Sequence, residues 1–264
     1  MRTKNILCVF SAMVSSVLFC ASVLAGTIGD PRAVGQGKVR AGLETEFILD
    51  RDLDFDGGSG LAAGQTFAGA ELDGNHRSST VVEYGLTDIV SVYAKLGAAD
   101  FGAEAESRTG SAKTADLDFE SNTGLGWGLG ARAVKNLDNG IIVGATGGYF
   151  ASGHRAKVTD RNVNGTVSST TYKDVSYGEW QIAAYVAKEI GQLTPYAGIR
   201  WSDASFEIED PSNGSFVGRA EFKSDENLGF VLGTRMDVNE RISIGIEGSL
   251  NDESAIAIAA DWKF

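Results

Sequence analysis

Cysteine is nearly absent. The only two, Cys8 and Cys20, both fall in the first 25 residues. If that stretch is removed on export, the remainder has no disulfide, no thiol nucleophile and no thiolate metal site. Proline is scarce too: Pro31, Pro195 and Pro211 sit at or near expected segment ends, leaving long stretches without a breaker. Beyond residue 25 no apolar run approaches the roughly 20 residues of a membrane helix. If the rest of the chain enters a bilayer it must do so as a closed barrel, because only helices and barrels satisfy every backbone polar group in lipid. Positive charge is in deficit as well. The formal charge of −12 becomes −14 without Arg2 and Lys4, which argues against nucleic acid or acidic headgroups as partners.

What is present begins with an export signal. Arg2 and Lys4 form a positive start, an apolar run follows from Ile6 to Leu24, and Val23-Leu24-Ala25 offers small residues at the cleavage positions. The expected division is a signal peptide over 1–25 and one domain over 26–264. An uncleaved anchor is the alternative. Lipid attachment at Cys20 is disfavoured by the bulky Phe19 before it.

Strict alternation of apolar and polar residues fills the rest. Val39, Ala41, Leu43, Thr45 and Phe47 alternate with Arg40, Gly42, Glu44 and Glu46. Trp180, Ile182, Ala184 and Val186 alternate with Gln181, Ala183, Tyr185 and Ala187. Leu228, Phe230 and Leu232, then Ile242, Ile244 and Ile246, behave in the same way. The expected strands are 38–50, 77–86, 90–103, 122–135, 140–153, 173–188, 193–208, 223–236, 240–250 and 253–264. A soluble sandwich also alternates. Three features favour an all-β, closed, antiparallel up-and-down transmembrane barrel of about ten strands, with eight as the rival count. The segments are long enough to cross a membrane obliquely. The polar face mixes small residues with full charges, as a narrow interior requires. Short links at Gly85–Asp88, Leu137–Gly140, Ile190–Gln192 and Asp237–Asn239 alternate with long polar ones.

The last ten residues, Ala255-Ile256-Ala257-Ile258-Ala259-Ala260-Asp261-Trp262-Lys263-Phe264, resemble the terminal strand of bacterial outer-membrane β-barrels. Tyr84-Gly85-Leu86-Thr87-Asp88 leading into Val90–Gly97 resembles a turn and strand of the same class. The likeness is to small barrels of the opacity and porin kind. It implies Gram-negative outer-membrane localisation, lipid and lipopolysaccharide as surroundings, and Ile256, Ile258, Trp262 and Phe264 as the signal read by the barrel-assembly machinery. That class includes anchors, adhesins, porins and a few enzymes, so it leaves function open.

The apolar face carries Tyr84, Trp127, Tyr149, Trp180, Trp201 and Trp262, rings suited to two membrane interfaces. The opposite face is charged. Glu44, Glu46, Glu83, Glu179, Glu247 and Asp261 stand against Arg40, Lys95, Arg132, Arg200, Arg235, Arg241 and Lys263. Turned inward, these near-balanced signs should pair and plug the lumen. A charge-selective channel is the functional alternative. Among the outer links, 50–76, 104–121, 154–172 and 209–222, Asp52, Asp54, Asp56 and Gly57 match the first half of a calcium loop. Ala63 stands where its last ligand belongs, so the metal reading is weak. Asn164-Gly165 and Asn213-Gly214 read as hairpin turns. No cofactor and no catalytic residue is expected; His76 and His154 read as ordinary rim histidines. The sequence thus predicts a non-enzymatic structural or surface-interaction barrel that does not bind nucleic acid. An extracellular ligand on the loops, a narrow porin-like channel, and a rim-located enzyme remain open.

Overall fold

The computed structural model describes residues 27–61, 63–209 and 218–264, with backbone alone at 168–173. The signal segment, both cysteines and Asn213-Gly214 lie outside them. Twelve strand segments run in chain order: β1 Val39–Ser59, β2 Gln65–Gly85, β3 Val90–Thr109, β4 Ala112–Ser121, β5 Gly124–Asn136, β6 Ile141–Asn162, β7 Val167–Lys188, β8 Leu193–Glu209, β9 Arg219–Ser224, β10 Leu228–Asp237, β11 Ile242–Leu250 and β12 Ser254–Lys263. All are antiparallel. β4 and β5 form one strand broken at Asn122-Thr123, and both pair with β3 and β6. β9 and β10 form another, both pairing with β8. Closure comes from β12, which pairs with β1 from Arg40↔Lys263 to Asp50↔Ser254. The result is a ring of ten strands, as the alternation predicts.

Two facing irregularities extend the wall beyond what a simple alternation shows. On β1 the inward positions are Arg40, Glu44, Glu46 and Ile48, then Arg51 and Leu53. Leu49 and Asp50 are both exposed between them. On β2, Asp73 and Gly74 do the same between Leu72 and Asn75, with Gly74 at φ +64°. An extra residue turns the following side chains to the other face, which is how a bulge re-aims a strand. Segments expected as outer links at 50–76, 104–121 and 154–172 are therefore mostly strand. They rise beyond the short β11–β12 hairpin. Above that hairpin β1 leaves β12 and pairs with β9, from Leu53↔Ser224 to Ser59↔Arg219. With β2, β3, β4, β6, β7 and β8 they complete a second, eight-stranded ring.

Short turns join β2–β3, β5–β6, β7–β8 and β10–β11 at the opposite end, where the expected links lie. Thr87 and Asn239 each accept two backbone N–H groups in their turns. The ten-strand tier carries exposed Leu43, Trp127, Leu129, Trp180, Ile182, Ile199, Trp201, Phe230 and Leu232 on its outside. Trp180 is 59 % exposed, which excludes two stacked sheets enclosing these residues. Inside, the rings of Tyr93, Tyr185 and Tyr196 lie so close to Gly130, Gly144 and Gly233 that a Cβ there would stand 2.3 Å away. The glycines on this face thus make room for large inward rings.

Candidate functional site

The candidate site is the barrel interior, which is filled in three layers. At the short-turn end the filling is the segment before β1. Ile28 is fully buried among Val134, Ile142, Ala183, Tyr196 and Val231. Its N–H donates to Glu247 at 3.0 Å, and Arg132 donates to its carbonyl. Arg132 also donates to the Asp30 carbonyl at 2.9 Å, and the Tyr185 hydroxyl donates to the Pro31 carbonyl at 3.2 Å. The Asp30 carboxylate pairs with Arg40 at 3.0 Å and Arg32 at 2.9 Å. Arg40 and Arg132 converge on Glu83 at 2.7 and 3.1 Å.

The middle layer is an ion-pair network at the change from ten strands to eight. Arg51 donates to Glu179 at 2.9 Å and Glu253 at 3.1 Å, and to the hydroxyls of Ser202 and Ser224. Arg77 reaches Glu179 at 2.7 Å and lies over the Tyr177 ring at 4.5 Å. Arg200 grips Asp252 with two bonds of 2.7 Å and reaches Glu253 at 2.9 Å. Asp252 and Glu253 are the turn of the β11–β12 hairpin, folded inward and buried. Ordering such a network costs desolvation of every ion; multiple bonds per group offset it.

The third layer is apolar. Leu53, Phe67, Leu72, Phe101, Phe119, Val175, Phe206, Ile208 and Phe222 pack within the eight-stranded ring and at its base, with Phe150 beneath them at the level of Glu179. Phe222 meets Phe67 and Phe55 edge-on at 5.5 and 5.7 Å. These rings occupy the interior of the upper tier.

Of the expected charged residues, Arg40, Glu44, Glu46, Glu83, Arg132, Glu179, Arg200, Arg235 and Glu247 are buried inside. Lys95 pairs with Glu44 at 2.6 Å and Arg235 with Asp261 at 2.8 Å. Lys263 stands at the rim, 3.7 Å from Asp237. Arg241 is a correction: it precedes β11 in an exposed turn, so it is not in the lumen. Arg77 is buried in phase with Glu83 on β2, so alternation reaches it; Asp30, Arg51, Asp252 and Glu253 are outside its reach. They lie beyond bulges, in a turn or in the unpatterned leader, where alternation gives no face. Ile256, Ile258, Trp262 and Phe264 all point outward on β12.

The metal candidate is also corrected. Asp52, Asp54 and Asp56 occupy one outward face of an extended strand, where alternate side chains diverge from any common point. Among the described residues no group of three or more His, Cys, Asp or Glu is placed to hold a metal. These acids belong instead to a row across the outer wall. Asp52 faces Glu71, Glu71 faces Glu104, and Glu104 faces Asp118 in direct register. Like charges so placed repel. Partial burial, then the carboxylates of Asp50, Asp52, Asp73 and Glu104, push Glu71 above the ordinary carboxylate range. One row further out, Arg108 and Lys113 hold Glu106 below it.

Neither histidine meets the other. His76 is half-buried beside Phe47, 3.6 Å from Asp100. His154 points inward, donating from Nδ1 to the Asn122 carbonyl at 3.1 Å and accepting at Nε2 from Ser152 at 2.7 Å. A nucleophile and base share that geometry, but both side chains are buried and Phe101 packs on the imidazole at 4.6 Å.

A closed antiparallel ring with an apolar outer belt and short turns at one end defines an integral β-barrel of the outer membrane. Known proteins agree. A model of the Chlamydia major outer membrane protein family matches residues 148–212. The chain is 24 % identical to the major outer membrane porin, serovar L1, of Chlamydia trachomatis, across 56 % of this chain and 54 % of that one. It is 29 % identical to the major outer membrane porin of Chlamydia muridarum, with the same coverage. The chain thus spans about half the length of these relatives. In fold it is similar to the outer membrane protease OmpT from Escherichia coli, with a TM-score of 0.55, 9 % identity, and 91 % and 99 % of the two chains covered.

Proposed function

We propose that the protein is a sealed, non-enzymatic barrel that carries an eight-stranded tier above the outer membrane for structural or surface-interaction roles. The observation that supports this most is the aromatic layer over the ion-pair network, which fills the interior above the membrane. In this reading β12 is the strand the assembly machinery engages, and lipid and lipopolysaccharide surround the wall. The signal peptide ending at Ala25 is cleaved. The acidic outer face leaves nucleic acid out as a partner. The Ser152–His154 contact serves packing, because its hydroxyl has no open face for a substrate.

Planar-bilayer recording tests the reading. The purified, folded chain should give a silent membrane; reproducible open steps would overturn it. A narrow channel is the second reading, favoured by the likeness to porins. It expects stepwise conductance from the same preparation.

A further inference from the structure

The segment from Thr27 to Arg32 fills the lower lumen as a ligand fills a site. It makes no ladder with any strand; side chains of the wall bind its main chain. Carbonyls of Ile28, Asp30, Pro31 and Arg32 accept from Arg132, Arg40 and Tyr185, and the Ile28 N–H donates to Glu247. These four wall residues come from β5, β1, β7 and β11, so the donors and the acceptor are held by separate strands of a rigid ring. Main-chain recognition of this kind takes any extended peptide; side-chain pockets then select.

Two pockets do the selecting. The Ile28 side chain fills a closed apolar space, with its Cδ1 3.1 Å from where a Cβ on Gly198 would stand. Asp30 meets Arg40 at 3.0 Å and is fully enclosed. Between them Gly29 has φ +75°, and a Cβ there would stand 2.8 Å from the Arg132 guanidinium. Only glycine fits both the conformation and the space. The connection to β1, Gln36–Lys38, is exposed.

We propose that the lower lumen is a peptide-binding site, occupied in cis by the chain's own leader and separable from it. Its ligand is a peptide with an apolar residue, glycine, aspartate and proline in succession, bent at the glycine. The proposal goes beyond the sealed-barrel reading and does not depend on it, since the contacts to Arg132, Arg40, Tyr185 and Glu247 are the same whether or not the interior above conducts.

The test cuts the leader after folding, so that no truncated chain has to assemble. A protease site replacing Gln36–Lys38 is cleaved in the folded, detergent-held full chain. The nicked protein is then mixed with a fluorescein-labelled synthetic peptide of residues 27–35. We expect the cut segment to co-elute with the barrel and the labelled peptide to replace it saturably. Peptides with Asp30→Asn or Gly29→Ala should bind roughly tenfold or more weakly, the scale of one charge-assisted bond. Compact unheated migration on a gel monitors the barrel. Three outcomes would overturn the proposal: a cut segment that departs with no labelled peptide rebinding, one that neither leaves nor exchanges, or equal binding of all three peptides.

Discussion

At the scale of single residues, the outer wall holds an unrelieved row of like charge. Inside, most acids have a basic or hydroxyl partner at hydrogen-bond distance, and Glu46 has Arg77 at 3.9 Å. Outside, Asp52, Glu71, Glu104 and Asp118 face one another across four strands. Glu71 is the most crowded, and its carboxyl titrates above the range of an unfolded chain. The linkage has a definite sign. A carboxyl with a raised folded-state value destabilises the fold above that value, and the penalty fades as pH falls toward the unfolded value of about 4.3. Glu71→Gln should therefore raise the thermal midpoint of the detergent-held protein at pH 7. The gain should shrink toward pH 4 and in high salt. A midpoint indifferent to pH and salt would contradict the account.

At the scale of elements, the β11–β12 hairpin couples wall and lumen. Its turn residues Asp252 and Glu253 neutralise Arg200 and Arg51 from a different part of the sequence. Replacing both by Ala takes two carboxylates from buried Arg200 and leaves Glu179 as the carboxylate beside Arg51, a loss on the order of 3 kcal/mol. Urea titration in detergent should show it as a clearly lowered midpoint; an unchanged midpoint would mean the pairs are dispensable. The hairpin also shows where reading the sequence stopped. From Arg40 to Ile48, or from Leu228 to Leu232, period two identifies the inward face correctly. One extra residue at Leu49 reverses it, and Asp50-Arg51-Asp52 then reads as an acidic loop although Arg51 lies in the middle of the lumen. Gly74 reverses β2 likewise, so that Leu72 and Ala70 turn inward out of phase with Arg77 and Glu83. Nothing periodic marks residues 27–37, so their place inside the ring is written only in long-range contacts. The charged lining was legible because it lies on unbulged strands. Arg241 falls outside the lumen because the strand starts at Ile242, two residues later than the alternation suggests.

At the scale of the whole molecule, the proposed sealed barrel has its interior closed in series. The leader plugs the lower lumen, the ion pairs fill the waist, and the aromatic cluster fills the tier above. Closure in series means that removing one layer leaves the others. Cleaving away the leader should therefore still give no conductance steps in a planar bilayer. Steps appearing on that treatment alone would show that the two upper layers are permeable. The expected barrel class, the ten-strand count and the outer-membrane setting emerge together from the alternating faces, because lipid outside and a narrow polar interior both act on every strand at once. The eight-stranded tier has no such external solvent to pattern it, and its hydrophobic residues face inward instead.

The two rings are fastened at different places. In the membrane, the first strand meets the last one; farther out it meets β9, about 30 residues before the last strand begins. A sideways parting that began between the chain's two ends would thus meet an intact hoop a few residues higher. The wall can loosen at its base, but such a split has no route to the cell surface.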